Sequence, residues 1–342
     1  MTGVMVGDSL ARRAPLAKGA LGGCMASGLV VGLVARRGPV LSALVAGAVA
    51  LALITVLSAV REGRRRALDR FVSGMLLCSV GVALLPLVSV LYFAASKGFR
   101  RFGGYFLTHS LHGVGPLDRT GGAYHAVIGT VEQVAISTTI AVPLGLLAAI
   151  YVVEYGRGRL ASLVRFVTDM MTGVPSIVAG LFVYAAWVLA LHRGFSGFAA
   201  ALSLTILMLP TIVRATEEML KLVPDALREA ALALGVPRWR AILSVVLPTA
   251  SAGIITGVML AVARVAGETA PLLLTALNFD SINANPFVGQ QAALPTFVFA
   301  QAQAPQQVSL DRAWAGALTL VLIILVLNLV ARAIARRSRV AH

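Results

Sequence analysis

Residues 229–248 read EAALALGVPRWRAILSVVLP, and they sit in a polar interval from Arg214 to Arg240 between two long apolar runs. The chain is otherwise so apolar that a charged helical hairpin here needs a reason. Pro224 suits a first helical position, where a missing N–H costs nothing, and Asp225 places an anion in the first turn. Leu227, Ala230, Ala231 and Leu234 fall on one helical face, with Arg228 and Glu229 beside them. Gly235 and Pro237 are expected to end this helix, and a second short segment, Trp239 to Leu247, to stop at Pro248. Small residues on the ridge of a short helix let another surface approach closely, as on a docking knob.

Outward from this hairpin, the composition defines the class. Hydrophobic residues make up 58% and charged ones 13% of the 342 residues. Soluble domains are about one quarter charged, so this reads as an all-α polytopic membrane protein. The net charge of +15 does not point to nucleic acid. The basic residues form short clusters beside apolar spans, as the positive-inside rule expects. Cys24 and Cys78 both lie in apolar runs and imply no disulfide. Arg12, Arg13 and Lys18 before an apolar stretch resemble a signal peptide. However, Ala35-Arg36-Arg37 is a poor cleavage site and a second span follows at once.

Eight spans of about 20 residues are expected: 19–35, 39–60, 71–96, 126–153, 163–191, 196–213, 249–277 and 313–332. With the amino terminus inside, twenty of the 29 Lys and Arg fall on inner segments and eight on outer ones, leaving Arg264 within a span. Both termini and the 229–248 hairpin are therefore expected in the cytoplasm. The first two spans form a hairpin ending at the charged linker Arg61-Glu-Gly-Arg-Arg-Arg66, which suggests an accessory module over 1–66 and a six-span unit over 67–342. Two long outer loops follow, 97–125 with His109, His112 and His125, and 278–312, rich in Asn, Gln and Pro. The histidine spacing matches no metal-ligand pattern, so a solvated loop is expected.

Ionisable groups inside a span are functional-site hypotheses by default. Arg264 and Glu268, in ARVAGETAPL, are four apart and are expected on one helical face near the middle of the seventh span. An Arg fork matches a phosphate or carboxylate oxyanion bidentately. A nearby Glu would partly neutralise it in the empty site or accept the proton of a partly protonated oxyanion. The alternative is an ion pair that orients helices. Arg214, at the inner end of the sixth span, is either a snorkelling interfacial residue or a path-lining one. Asp169 and Gly173-Val-Pro-Ser176 break the fifth span, either as a kink or where the backbone lines a cavity. Glu132 reads as interfacial. There is no GxxxxGK[ST] phosphate loop, no HExxH and no GxSxG, and nothing assembles a nucleophile with a base. The chain is not expected to be an enzyme or to carry a cofactor of its own.

The pattern Glu229-Ala230-Ala231, three residues, Gly235, nine residues, Val245-x-Leu247-Pro248 resembles the EAA loop of bacterial ABC importer permeases, with Val where Ile is usual. A narrower resemblance is to the PstA-type permease subunits of bacterial phosphate ABC importers. It rests on Gly173-Val-Pro-Ser-Ile177, Leu209-Pro-x-x-x-Arg214 with Glu217-Glu218, Leu222-Val-Pro-x-x-Leu-Arg-Glu-Ala-Ala231 and Ala263-Arg-x-x-Gly-Glu-Thr-Ala-Pro271, and covers about residues 70–335. The resemblance implies a six-span type I importer core, to which the first two helices are an addition, with its coupling loop at 214–248. It implies a second homologous permease, two cytoplasmic ATPases docked at Glu229, Ala230, Ala231 and Gly235, an extracytoplasmic phosphate-binding protein, and the bacterial inner membrane as the location. ATP would be bound and hydrolysed by the partner, and Arg214 and Arg264, with Glu268, would line the substrate path. Other readings are the sister permease, a permease for sulfate or molybdate, an intramembrane enzyme using Glu268 and Asp169, and a regulatory scaffold.

Overall fold

A computed structural model describes residues 39–156 and 158–340; the expected span 19–35, Cys24 and Arg157 lie outside these. The described residues are almost entirely helical, with one isolated bridge between Ser196 and Gly289. The chain forms two compact units that meet in sequence at Tyr92 and Phe93.

In the first unit, α1 (Pro39–Glu62) and the start of α2 (Arg64–Gly98) are joined by Gly63, whose φ of +91° suits glycine. Leu51 meets Gly74, each about ten residues from that turn, so the two helices run antiparallel. The apolar side chains of α2 are open along its length, as with Leu77 and Val88, which is what lipid-facing positions require.

The second unit contains α3 (Gly104–Thr108), α4 (Tyr124–Ile150), α5 (Arg159–Thr172), α6 (Ser176–Val183) and α7 (Gly197–Lys221). After these come α8 (Asp225–Ala233), α9 (Arg238–Ala241), α10 (Leu247–Ala266), α11 (Ala270–Thr275), α12 (Leu294–Gln303) and α13 (Gln307–Val340). Wide π-helical turns extend α4 (Tyr151–Tyr155) and α6 (Tyr184–Ala190) and join α9 to α10 (Ile242–Val246). From α2 onward, six helical segments are long and apolar enough to cross a membrane, if the bent α5–α6 pair is one span. The six-span core is thus present in the described residues.

Three expectations about individual elements are corrected. The segment after Trp239 does not stop at Pro248, since Arg238–Ala266 is one continuous 29-residue helix. The π turn immediately before Leu247 shifts the hydrogen-bond register, and Pro248 lies at the start of the next α segment, where its missing N–H is tolerated. The seventh span does not run unbroken to 277. It ends at Ala266, Gly267 caps it, and a short α11 restarts with Pro271 in its first turn. The interval 278–312 is not all loop, because α12 lies inside it with Leu294 and Phe297 fully buried. The expected break in the fifth span is a bend of 108° between α5 and α6.

The core is built by small residues that let helices approach. Gly253 and Gly257 of α10 face Met219 and Ala215 of α7, which sets these two helices antiparallel. A Cβ at Gly145 would lie 2.7 Å from Ile212, joining α4 to α7. Around these crossings Val134, Ala141, Leu204, Met208, Ile212, Ala261 and Val265 form the central apolar cluster. Gly180 brings α6 onto α11, and a Cβ there would stand 2.6 Å from the Cα of Pro271. Backbone cannot yield as a side chain can, so Gly180→Ala should destabilise by about 1–3 kcal/mol. Gly81→Ala meets open space and serves as the control. The unfolding temperature in detergent should fall only for Gly180→Ala.

Candidate functional site

Arg264 occupies the last turn of α10, where a cation complements the helix dipole. Its side chain is exposed, and no hydrogen bond or ion pair holds it among the described residues. Glu268 lies beyond the helix end, in the unwound segment 267–269, half-buried. The expectation that the two share a helical face therefore fails. Gly267 ends the helix between them and Glu268 N bonds back to Val265 O at 3.1 Å, so no Arg264–Glu268 ion pair forms. What stands at this level is a free guanidinium beside a helix break. The second break, at Gly173-Val-Pro175, is next to it in the packing order, because α6 and α11, which resume after the two interruptions, pack together at Gly180 and Pro271. Interrupted helices that meet are a common way to build a mid-membrane path.

Arg214 is next to Ala215, at the α7–α10 crossing. Arg264 is seven residues beyond Gly257, the α10 residue at that crossing, and hence about 10 Å further along the helix. Unlike Arg264, Arg214 is engaged. It pairs with Asp169 of α5 and, at 3.4 Å, with Glu217 one turn on. Glu217 is almost fully buried and also receives Arg165 at 3.3 Å and Lys221 at 2.8 Å. Asp169 and Arg214, weighed separately in the sequence, are thus parts of one charge cluster joining α5 to α7. Arg165 and Glu217 complete it.

Toward the other end of the α9–α10 helix, α8 presents Glu229 and Ala230 to solvent, with Leu234 84% exposed. Ala231 turns inward instead, because one step along a helix rotates a side chain about 100°. The helix ends where expected: Gly235 has φ +75° and its N–H bonds to Leu232 O at 2.9 Å. Arg228 faces inward onto Glu154, which is 6% exposed.

Near the start of α4, Glu132 accepts a 2.6 Å bond from Gln291 Nε2, and Gln133 donates to Gln291 Oε1 at 3.1 Å. This ties the 278–293 segment to α4. The three histidines go separate ways. His109 stacks on Tyr105, His112 bonds Ser281 Oγ at 2.6 Å, and His125 is buried against Phe297.

The family model described as "Binding-protein-dependent transport system inner membrane component" matches residues 141–340, which hold both breaks, both arginines and α8. The chain belongs to this family. Among related inner membrane components, the "Phosphate transport system permease protein PstA 1" of Mycobacterium tuberculosis (strain CDC 1551 / Oshkosh) is 45% identical over 282 residues, covering 81% of this chain and 92% of the relative. The "Phosphate transport system permease protein PstA" of Yersinia pestis is 39% identical over 280 residues, covering 82% and 94%. In fold, this inner membrane component resembles a chain of the MetNI methionine ABC transporter in an inward-facing conformation, with a TM-score of 0.50, 18% identity, and coverage of 64% of this chain and 94% of that one. The inner membrane component described here is a multi-pass membrane protein of the ABC importer permease fold, and its relatives are transport permeases.

Proposed function

We propose that this chain is one of two homologous permease subunits of an ATP-driven inorganic phosphate importer in the bacterial inner membrane. The observation that carries this reading is 45% identity to a phosphate transport permease over 92% of its length. A free arginine at a helix break suits the same substrate, since a guanidinium fork binds a tetrahedral oxyanion through two parallel bonds. Both termini lie in the cytoplasm, as does α8, which two ATPase subunits engage through Glu229, Ala230 and Gly235. An extracytoplasmic phosphate-binding protein delivers substrate to the outer loops. The chain needs no cofactor, and ATP is bound and hydrolysed by the partner. We assign residues 1–66 to an accessory module outside the six-span core.

Phosphate entering from outside meets Arg264, with Glu268 of the unwound segment as a proton acceptor within the same stretch. Arg214 stands further toward α8 and is occupied by Asp169, so an arriving anion must compete with that carboxylate. Competition by a fixed anion keeps the inner step weak, which release requires. The test is uptake of labelled phosphate in a strain deleted for this chain and complemented with it. Restored uptake that excess sulfate or molybdate does not compete supports the reading. Competition by either of those anions, or uptake unaffected by the deletion, overturns it.

A further inference from the structure

We infer that Arg228 and Glu154 form the joint through which movement of α8 reaches α4 and α7; this rests on the proposed docking of an ATPase on α8. Arg228 uses its whole fork. Nε donates to Glu154 Oε1 at 3.1 Å, Nη1 to Val223 O at 2.6 Å and Asp225 Oδ1 at 3.0 Å, and Nη2 to Leu220 O at 2.7 Å. Leu220 lies in the last turn of α7 and Val223 just beyond its end, so the side chain adds bonds to carbonyls at and after the helix C-terminus. Glu154 belongs to the π turn at the end of α4, and its carboxylate is buried. One guanidinium thus fastens the docking helix to the inner ends of two core helices. Arg238 of α9 adds a bond to the Glu154 carbonyl and lies over the Tyr155 ring, and Arg165 of α5 donates to Val152 O at 3.2 Å. Three elements, α5, α8 and α9, therefore converge on residues 152–155.

Two features separate a mechanical joint from a mere brace. Glu154 itself lies in the π-helical turn Tyr151–Tyr155, and a second π-helical turn, Ile242–Val246, leads into α10; such turns mark places where a helix register yields. Between them Leu220, Val223, Val246, Ala250 and Ile254 form a closed apolar cluster that moves as a block. A push on α8 has a stiff hydrogen-bonded route into α4 and α7 and a packed route into α10. The motif Leu-Arg-Glu-Ala-Ala then divides its labour: Glu229 faces outward to the partner, and Arg228, one step round the helix, faces inward to the core. Arg228 and Glu154 are positioning residues, since they touch no substrate.

The full transporter, with this chain, its companion permease and its ATPases, is reconstituted in lipid vesicles with the phosphate-binding protein. Phosphate accumulated per ATP hydrolysed is compared for wild type, Arg228→Lys, Glu154→Gln and Glu154→Asp, alongside each unfolding temperature. Arg228→Lys keeps the charge and loses the fork. Arg228→Lys and Glu154→Gln should keep the complex assembled and hydrolysing ATP while phosphate moved per ATP falls about fivefold. Glu154→Asp should recover more than half of the loss. Unchanged stoichiometry in both variants overturns the joint, as does a loss that tracks the unfolding temperature or equals the loss of ATP hydrolysis. Absence of any ATPase from the wild-type preparation overturns the functional reading, and the joint with it.

Discussion

Alanine at position 264 is expected to reduce phosphate uptake about a hundredfold at wild-type levels in the membrane. The loss of two charge-assisted hydrogen bonds to a desolvated oxyanion is worth about 3 kcal/mol, and each 1.4 kcal/mol is a factor of ten. The fold should survive, because Arg264 is exposed and holds no partner among the described residues. A structural arginine would behave in the opposite way, with uptake falling only as far as the protein level falls. Lysine at the same position keeps a point charge without the fork and should recover part of the rate. Wild-type uptake by Arg264→Ala at matched expression sinks the path role. Because the Arg264–Glu268 ion pair does not form, Glu268→Gln should not mimic Arg264→Ala.

The second large effect is expected at the opposite end of α10. Glu229→Lys reverses a charge on the exposed face of α8, and like charges brought together in an interface cost several kcal/mol. The ATPase should no longer co-purify with the permease, and uptake should vanish while this chain remains folded in the membrane. Among the described residues no hydrogen bond or ion pair ties Glu229 down, so a substitution there is close to neutral for the isolated subunit. Undiminished co-purification would count against docking at α8. Alanine at Arg228 should differ in kind, since it leaves the buried carboxylate of Glu154 unpaired and thereby destabilises the subunit itself.

The two variants bracket a single continuous helix. Arg264 lies sixteen residues past Pro248, about 24 Å along α10 at 1.5 Å per residue. The proline that reads as a stop is absorbed by the π turn before it, so α9 and α10 are one rod. The rod ends at Gly267, and Pro271 lies in the first turn of the short helix that follows.

Much was legible in the order of residue types. Hydropathy identified the core spans, because a lipid core demands about twenty apolar residues in a row whatever the packing. Gly173-Val-Pro-Ser176 announced the 108° bend, since Gly and Pro act on the backbone locally. Gly235 ended α8 with the positive φ that glycine supplies. The docking motif and the intramembrane arginines stood out because charge is rare in this chain.

Only the tertiary structure decided which charges meet. Glu154 and Arg228 are 74 positions apart, and Asp169 meets Arg214 across two helices; no local period relates them. Side-chain spacing assigned Arg264 and Glu268 to one face, yet the capping at Gly267 separated them, because a four-residue spacing holds only while the helix continues. Helix α12 escaped notice in a polar stretch since its burial depends on Phe106, His125 and α13 packing over it. By itself, then, the sequence determined the membrane-spanning architecture, the breaks and the short charged helix α8, all of which follow from local chemistry and the properties of the bilayer. The pairing of arginines with carboxylates, and with it which arginine is free to meet an anion, was decided by long-range packing through Gly257, Gly145 and Gly180, where the absence of a side chain sets how closely helices approach.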